Sequence, residues 1–178
     1  MKRFVVLLVV ALALCVLATA AQATDWTTYL TSTGTTGTIK VVSSVTQVGS
    51  LWHYSYDVTP VSPADYVRGY TIVLGSKVIA LVSNVATTAS GWSGYADATK
   101  VYWTWEGTDA ERLNTGETFT FSFDHPWSPV AFYNASCQDD FGFSGVVAGP
   151  VVPEASTMLL GFAGLSCIAG LRKLRIKK

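Results

Sequence analysis

The 178 residues have room for one domain beside the segments at either end, and a formal net charge of zero hides an uneven distribution. Between residues 24 and 155, five Lys or Arg stand against twelve Asp or Glu, a net −7, while Lys2 and Arg3 open the chain and five basic residues close it. An acidic middle excludes nucleic acid, whose phosphates need clustered cations, and suits a soluble exported domain.

Residues 1–23 read as a secretory signal peptide. Lys2-Arg3 is its basic start, residues 4–18 its apolar run, and Ala21-Gln22-Ala23 a small-x-small cleavage site that leaves Thr24 as the mature start. Leu14, not a small residue, precedes Cys15, which speaks against lipoprotein processing. Cys15 and Cys167 lie in the two terminal apolar runs, so Cys137 stands alone in the domain and no disulfide framework is expected.

Residues 24–38, rich in Thr, Gly and Ser, read as a flexible lead-in. A sheet domain is then expected over residues 39–149. In residues 51–58, Trp52, Tyr54, Tyr56 and Val58 point one way and His53, Ser55 and Asp57 the other. Residues 118–124 alternate in the same manner, with Phe119, Phe121 and Phe123 on one side; Val101, Trp103 and Trp105 form a third such face. A period of two marks strands with one buried side. Weaker strands are expected at 39–48, 66–74, 78–82, 130–133 and 141–148, with turns at Val48-Gly49-Ser50 and Asn114-Thr115-Gly116. No segment between them carries a capped 3.6-residue period. The spacing therefore predicts an all-β antiparallel sandwich, jelly-roll- or immunoglobulin-like.

Residues 150–156 form a spacer with Pro150 and Pro153, followed by an uncharged stretch at 157–171 and by Arg172-Lys173-Leu174-Arg175-Ile176-Lys177-Lys178. Fifteen helical residues span roughly 22 Å, short of a ~30 Å hydrocarbon core, yet the basic cluster behind them can snorkel and marks the cytoplasmic side. Residues 157–171 are accordingly predicted as a transmembrane helix and 172–178 as a cytoplasmic tail. The order Pro153-Glu154-Ala155-Ser156, apolar helix, terminal basic cluster resembles the PEP-CTERM sorting signal, with Ala155 where that motif commonly carries a second proline. The resemblance covers about the last 27 residues. It implies handling by an exosortase-like membrane protease at the inner membrane of an exopolysaccharide-making Gram-negative bacterium, then transfer to the cell surface or extracellular matrix. The middle region is also loosely similar to other ectodomains of that family, in its Gly-Trp turn and its Gly-Glu-Thr-Phe-Thr-Phe-Ser-Phe strand.

Chemistry is sparse. Of the two histidines, His125 follows Asp124 directly, and strand neighbours point to opposite faces, so no Ser/His/Asp triad is expected there. His125, Cys137, Asp139 and Asp140 match no zinc spacing, and Asp139-Asp140 reads as a solvated loop. Glu106, Asp109, Glu111 and Glu117 read as members of one exposed loop, not as a glycosidase pair. No cofactor or metal is expected. Trp92, Tyr95 and Trp127 lie among Gly, Ser and Pro, where a surface ring can stack on a sugar, and they are the candidate glycan contacts. The expectation is a non-enzymatic surface or matrix protein associated with exopolysaccharide. The alternative is a glycan-active enzyme or carbohydrate-binding module on a jelly-roll scaffold.

Overall fold

A computed structural model describes residues 24–34, 36–61, 66–138 and 142–151. The signal peptide with Ala21 and Ala23, the motif Pro153, Glu154, Ala155 and Ser156, the apolar run, the basic tail and Asp139-Asp140 lie outside the described residues. Among the described residues no helix is long and apolar enough to cross a membrane.

The domain is all-β and antiparallel. Its strands are β1 (Thr24–Thr31), β2 (Thr38–Val48), β3 (Leu51–Pro60), β4 (Gly69–Val73), β5 (Ser83–Thr87), β6 (Trp92–Ala96), β7 (Lys100–Trp105), β8 (Phe119–His125), β9 (Pro129–Gln138) and β10 (Phe143–Pro150). One helical turn, α1 (Ser76–Ile79), follows β4, and a 3-10 turn, Asp109–Glu111, follows β7.

All ten strands join one sheet in the order β5-β8-β3-β2-β1-β10-β9-β4-β7-β6. It folds on itself into two layers, β5-β8-β3-β2-β1 and β10-β9-β4-β7-β6. At one side the layers are joined by the single pair Thr31↔Ser144. There Gly145 lets the backbones meet, since a Cβ on it would lie 2.7 Å from Leu30 Cδ2. At the other side β5 and β6 come into contact without pairing, and the Trp103 indole N–H donates to the Ala86 carbonyl at 2.8 Å across that gap. The end strands thereby cover each other's edges.

Alternation supplies the core. The inward residues of β3 and β8 pair directly, Tyr54↔Phe123 and Tyr56↔Phe121. Phe121 then meets the opposite layer, with ring centroids 5.4 Å from Tyr70, 5.3 Å from Trp92 and 5.4 Å from Trp103. Such aromatic pairs add about 0.5–1.5 kcal/mol each beyond area burial. Buried phenols need acceptors. Tyr54 donates to the Trp127 carbonyl at 2.7 Å and Tyr56 to the Ala148 carbonyl at 2.8 Å. Desolvation by burial raises the pKa of both above the ordinary tyrosine value.

Four segments differ from the sequence expectation. The lead-in predicted over 24–38 contains β1, which pairs with β2 residue for residue from Thr24↔Val45 to Thr31↔Thr38. The strand expected at 78–82 is instead α1 and the chain that leaves it. Val78 and Ile79 are adjacent and both buried, which one helical turn achieves and an alternating strand does not. Strands β5 and β6 were not expected, because Ser83–Thr87 and Trp92–Ala96 are polar or glycine-containing; both are end strands of the sheet. The turn at Gly49, with φ 65°, falls where expected and joins β2 to β3.

Candidate functional site

The three candidate rings separate. Trp92 is buried: its ring packs on Phe119 and Phe121, and its indole N–H donates to the Glu111 carbonyl at 2.9 Å. Trp127 packs against the core and edge-on to His125 at 5.0 Å. Buried as it is, Trp92 presents no open face of the kind a sugar stacks on and is corrected to a packing residue; Trp127 is half-buried, with part of its ring on the core. Tyr95 alone is exposed, at 40%.

Tyr95 belongs to a constellation that sequence reading missed. On the outer face of β6 and β7 it pairs with Tyr102, ring centroids 5.5 Å apart and 30° between planes. Its hydroxyl donates to Glu106 Oε1 at 2.8 Å, and Ser93 donates to Glu106 Oε2 at 2.8 Å. Lys100 Nζ sits 5.0 Å from the Tyr102 centroid and 3.6 Å from Asp97. Glu106 thus holds the Tyr95 and Ser93 hydroxyls, one on each carboxylate oxygen.

The register extends this pair across the second layer and onto β1 and β2 of the first. Tyr95↔Tyr102, Tyr102↔Thr71, Thr71↔Ser136, Ser136↔Ser144, Ser144↔Thr31 and Thr31↔Thr38 are successive cross-strand partners. Seven strands therefore present seven hydroxyl-bearing side chains in one row. At 4.7–4.9 Å between strands the row runs roughly 29 Å. A linear, hydroxyl-rich polymer laid across the strands would meet a donor or acceptor at every step and two aromatic rings at one end.

The remaining acids are occupied locally. Glu111 closes a capping box on the 3-10 turn, taking the Thr108 backbone N–H at 2.7 Å and the Ser90 hydroxyl at 2.8 Å. The Thr108 backbone bond, then those from the two hydroxyls, hold its pKa below the ordinary glutamate value. Arg112 bonds Asp109 and stacks on Tyr66 and Trp105, with 4.1 and 4.6 Å to the ring centroids. Among the described residues no three His, Cys, Asp or Glu side chains converge as metal ligands.

A second polar group lies on the outer face of the other layer. Asp124 there meets His53, not its sequence neighbour. The two are cross-strand partners, with His53 Nδ1 2.7 Å from Asp124 Oδ1, and Asn84 donates to Oδ2 at 2.6 Å. Desolvation works to raise the Asp124 pKa, but the bonds from Asn84 and His53 outweigh it and the net shift is downward. His125 points inward. Its Nε2–H donates to the Val78 carbonyl at 3.0 Å, and its Nδ1 accepts the Trp127 N–H at 3.0 Å, the pattern of a neutral ring. Cys137 is buried in the core. No family model, no curated protein and no solved structure matches this chain.

Proposed function

We propose that this chain is an exported, non-enzymatic surface or matrix protein that associates with exopolysaccharide through the outer face of its second layer and the adjoining strands β1 and β2. The observation that carries the proposal is the unbroken hydroxyl row from Tyr95 to Thr38, with Glu106 fixing the ring at its head. One sugar stacked on one ring contributes on the order of 1 kcal/mol, by analogy with aromatic pairs, so a single step is weak. Repeated steps along a polymer, and many protein copies on it, raise the retention through avidity. Export in this reading runs through removal of residues 1–23; β1 begins at Thr24, so every described strand survives that cleavage. The PEP-CTERM-like tail then holds the domain at the inner membrane until an exosortase-like protease acts near Pro153-Glu154-Ala155. Nested pairing of β6 with β7, β5 with β8 and β4 with β9 supports the jelly-roll form of the fold over the immunoglobulin-like one.

Affinity electrophoresis of the mature chain through gels cast with the host's own polysaccharide tests this. Retardation is expected, and Tyr95→Ala with Tyr102→Ala should weaken it several-fold without shifting the thermal transition. Migration that the polysaccharide does not alter sinks the reading.

A second reading, a glycan-active enzyme, is favoured by one observation. The Asp124–His53 pair, with Asn84 fixing the carboxylate, has the orientation that readies an imidazole as a general base. It predicts new reducing ends when the chain is incubated with the polysaccharide, and their loss in Asp124→Asn.

A further inference from the structure

Four of the nine exposed large apolar side chains among the described residues gather where the second-layer face adjoins β1: Tyr29 at 56%, Val73 at 47%, Phe132 at 55% and Val146 at 46% exposure. Register places them. Asn134 pairs with Val146, and Val73 follows opposite Asn134 as the next step after Ile72↔Ala135. Tyr29 precedes Thr31 by two residues and Val146 follows Ser144 by two, so both stand on the same face as the single pair Thr31↔Ser144, one step beyond it. Phe132 lies two residues from Asn134 on β9, diagonal to Val146. A lysine stands at each end of this row, Lys100 opposite Val73 and Lys40 opposite Tyr29. These are two of the five cations of a domain carrying −7. An apolar centre with a tyrosine and lysines at its margins is the composition of surfaces that settle into the headgroup layer of a membrane.

The tether supplies the geometry. Val151 follows Pro150 at the end of β10, and the Ala148 partner in that strand pair is Phe132. The chain thus leaves the domain within three residues of the patch, about 10 Å along a strand. Six residue steps separate Val151 from Thr157, where the uncharged run begins, and they reach roughly 20 Å fully extended. A domain held so close must turn one face to the bilayer, and the face beside its own exit is this one.

We propose that, while the chain is anchored, this face rests on a bilayer surface bearing anionic headgroups. Phe132, Val146, Val73 and Tyr29 lie at the acyl boundary, with Lys40 and Lys100 at phosphate level. The inference rests on the anchored tail of the reading above. It adds an order of events: the hydroxyl row lies one residue pair from this apolar row, so release from the membrane uncovers the polysaccharide face.

Site-directed spin labelling of the full chain tests it, with Cys15→Ser and Cys167→Ser and a nitroxide at Phe132→Cys or at Ser55→Cys on the opposite layer. Cys137 is buried, and a chain without an added cysteine corrects for any label it takes. In vesicles containing phosphatidylglycerol, the label at 132 should be relaxed more by lipid-soluble oxygen than by an aqueous nickel chelate, and the label at 55 the reverse. Lys40→Glu with Lys100→Glu should move the label at 132 toward the aqueous reading. An aqueous reading at 132 in a chain that resists alkaline carbonate extraction overturns the face assignment and leaves the anchor standing. Extraction by carbonate together with a lipid reading at 132 before extraction supports the face and removes the anchor. Spin–spin broadening at 132 that persists in detergent identifies a second copy as the occupant and overturns the proposal.

Discussion

On the outer face of the first layer, polar side chains satisfy one another; on that of the second, apolar side chains stand uncovered beside a row of hydroxyls. Thr59 and Thr118 share a hydrogen bond of 2.6 Å, Thr120 donates to Asp57 at 2.7 Å, and Asp124 holds both His53 and Asn84. The second layer, with the adjoining β1, instead leaves Tyr29, Val73, Phe132 and Val146 at the surface. Both faces hang on the same inward alternation and the same aromatic core. Nothing about folding requires them to differ, so the difference points to what each meets outside.

Because both faces depend on one core, the largest effect should come from a position that serves both layers. Phe121→Ala removes a ring shared by Tyr70, Trp92 and Trp103 and should cost about 3–5 kcal/mol, on the order of 10–20 °C in melting temperature. Calorimetry checks it. A loss confined to one layer, seen as protection retained in β9 and β10 by hydrogen exchange, would mean that the layers fold independently.

The next effect is confined to the first layer and depends on pH. The Asp124 pKa is depressed in the folded chain, so its contribution is present above the ordinary carboxylate range and is lost as pH falls through the folded value. His125 is also depressed, first by desolvation, against the raising effect of its bonds to Val78 and Trp127. Its unfolded form therefore takes up a proton near pH ~6.5 that the folded form refuses, and stability begins to fall there. Denaturant midpoints measured from pH 8 to pH 3 should show two steps. His125→Gln should remove the upper one. Asn84→Ala should cost about 1 kcal/mol at neutral pH and move the lower step upward, since Asp124 loses a bond to its charged form.

How much of this was legible depends on where the physical signal sits. The inward faces of β3, β7 and β8 follow from alternation, and the turn at Gly49 from its residue type. Strands β1, β5 and β6 escaped because Thr, Ser and Gly give them little alternation in hydropathy; their pairing comes from neighbours distant in sequence. The Asp124–His53 contact was hidden for the same reason. Strand direction separates Asp124 from His125, but only register brings it to a residue 71 positions away. Trp92 looked like a surface ring because Gly91 and Ser93 flank it; the 3-10 turn with its capping box at Thr108 and Glu111 gives its indole N–H a backbone acceptor, the Glu111 carbonyl. Thr108-x-x-Glu111 was a readable signal of that turn. The hydroxyl row and the lysine-ended apolar row had no such signal. Each draws on six or seven strands, and no stretch of sequence contains more than two of its members.

The smallest stability effect should belong to the second face. Phe132→Ser with Val146→Thr removes two exposed apolar side chains that face solvent outside the core, so the thermal transition should stay within about ±0.5 kcal/mol of the parent. These side chains lie outside the aromatic core, and neither Phe132 nor Val146 packs against it. The same pair of substitutions should abolish the lipid reading of a nitroxide at Val73→Cys in vesicles, and leave retardation by polysaccharide at Tyr95 and Tyr102 unchanged. A first-layer counterpart, Thr120→Val, should do the opposite: it removes a hydrogen bond to Asp57, lowers stability by about 1 kcal/mol and leaves the vesicle reading alone. If the double variant instead loses stability comparable to a core change, the apolar row is held by packing within the chain, and the two faces differ in composition without differing in role.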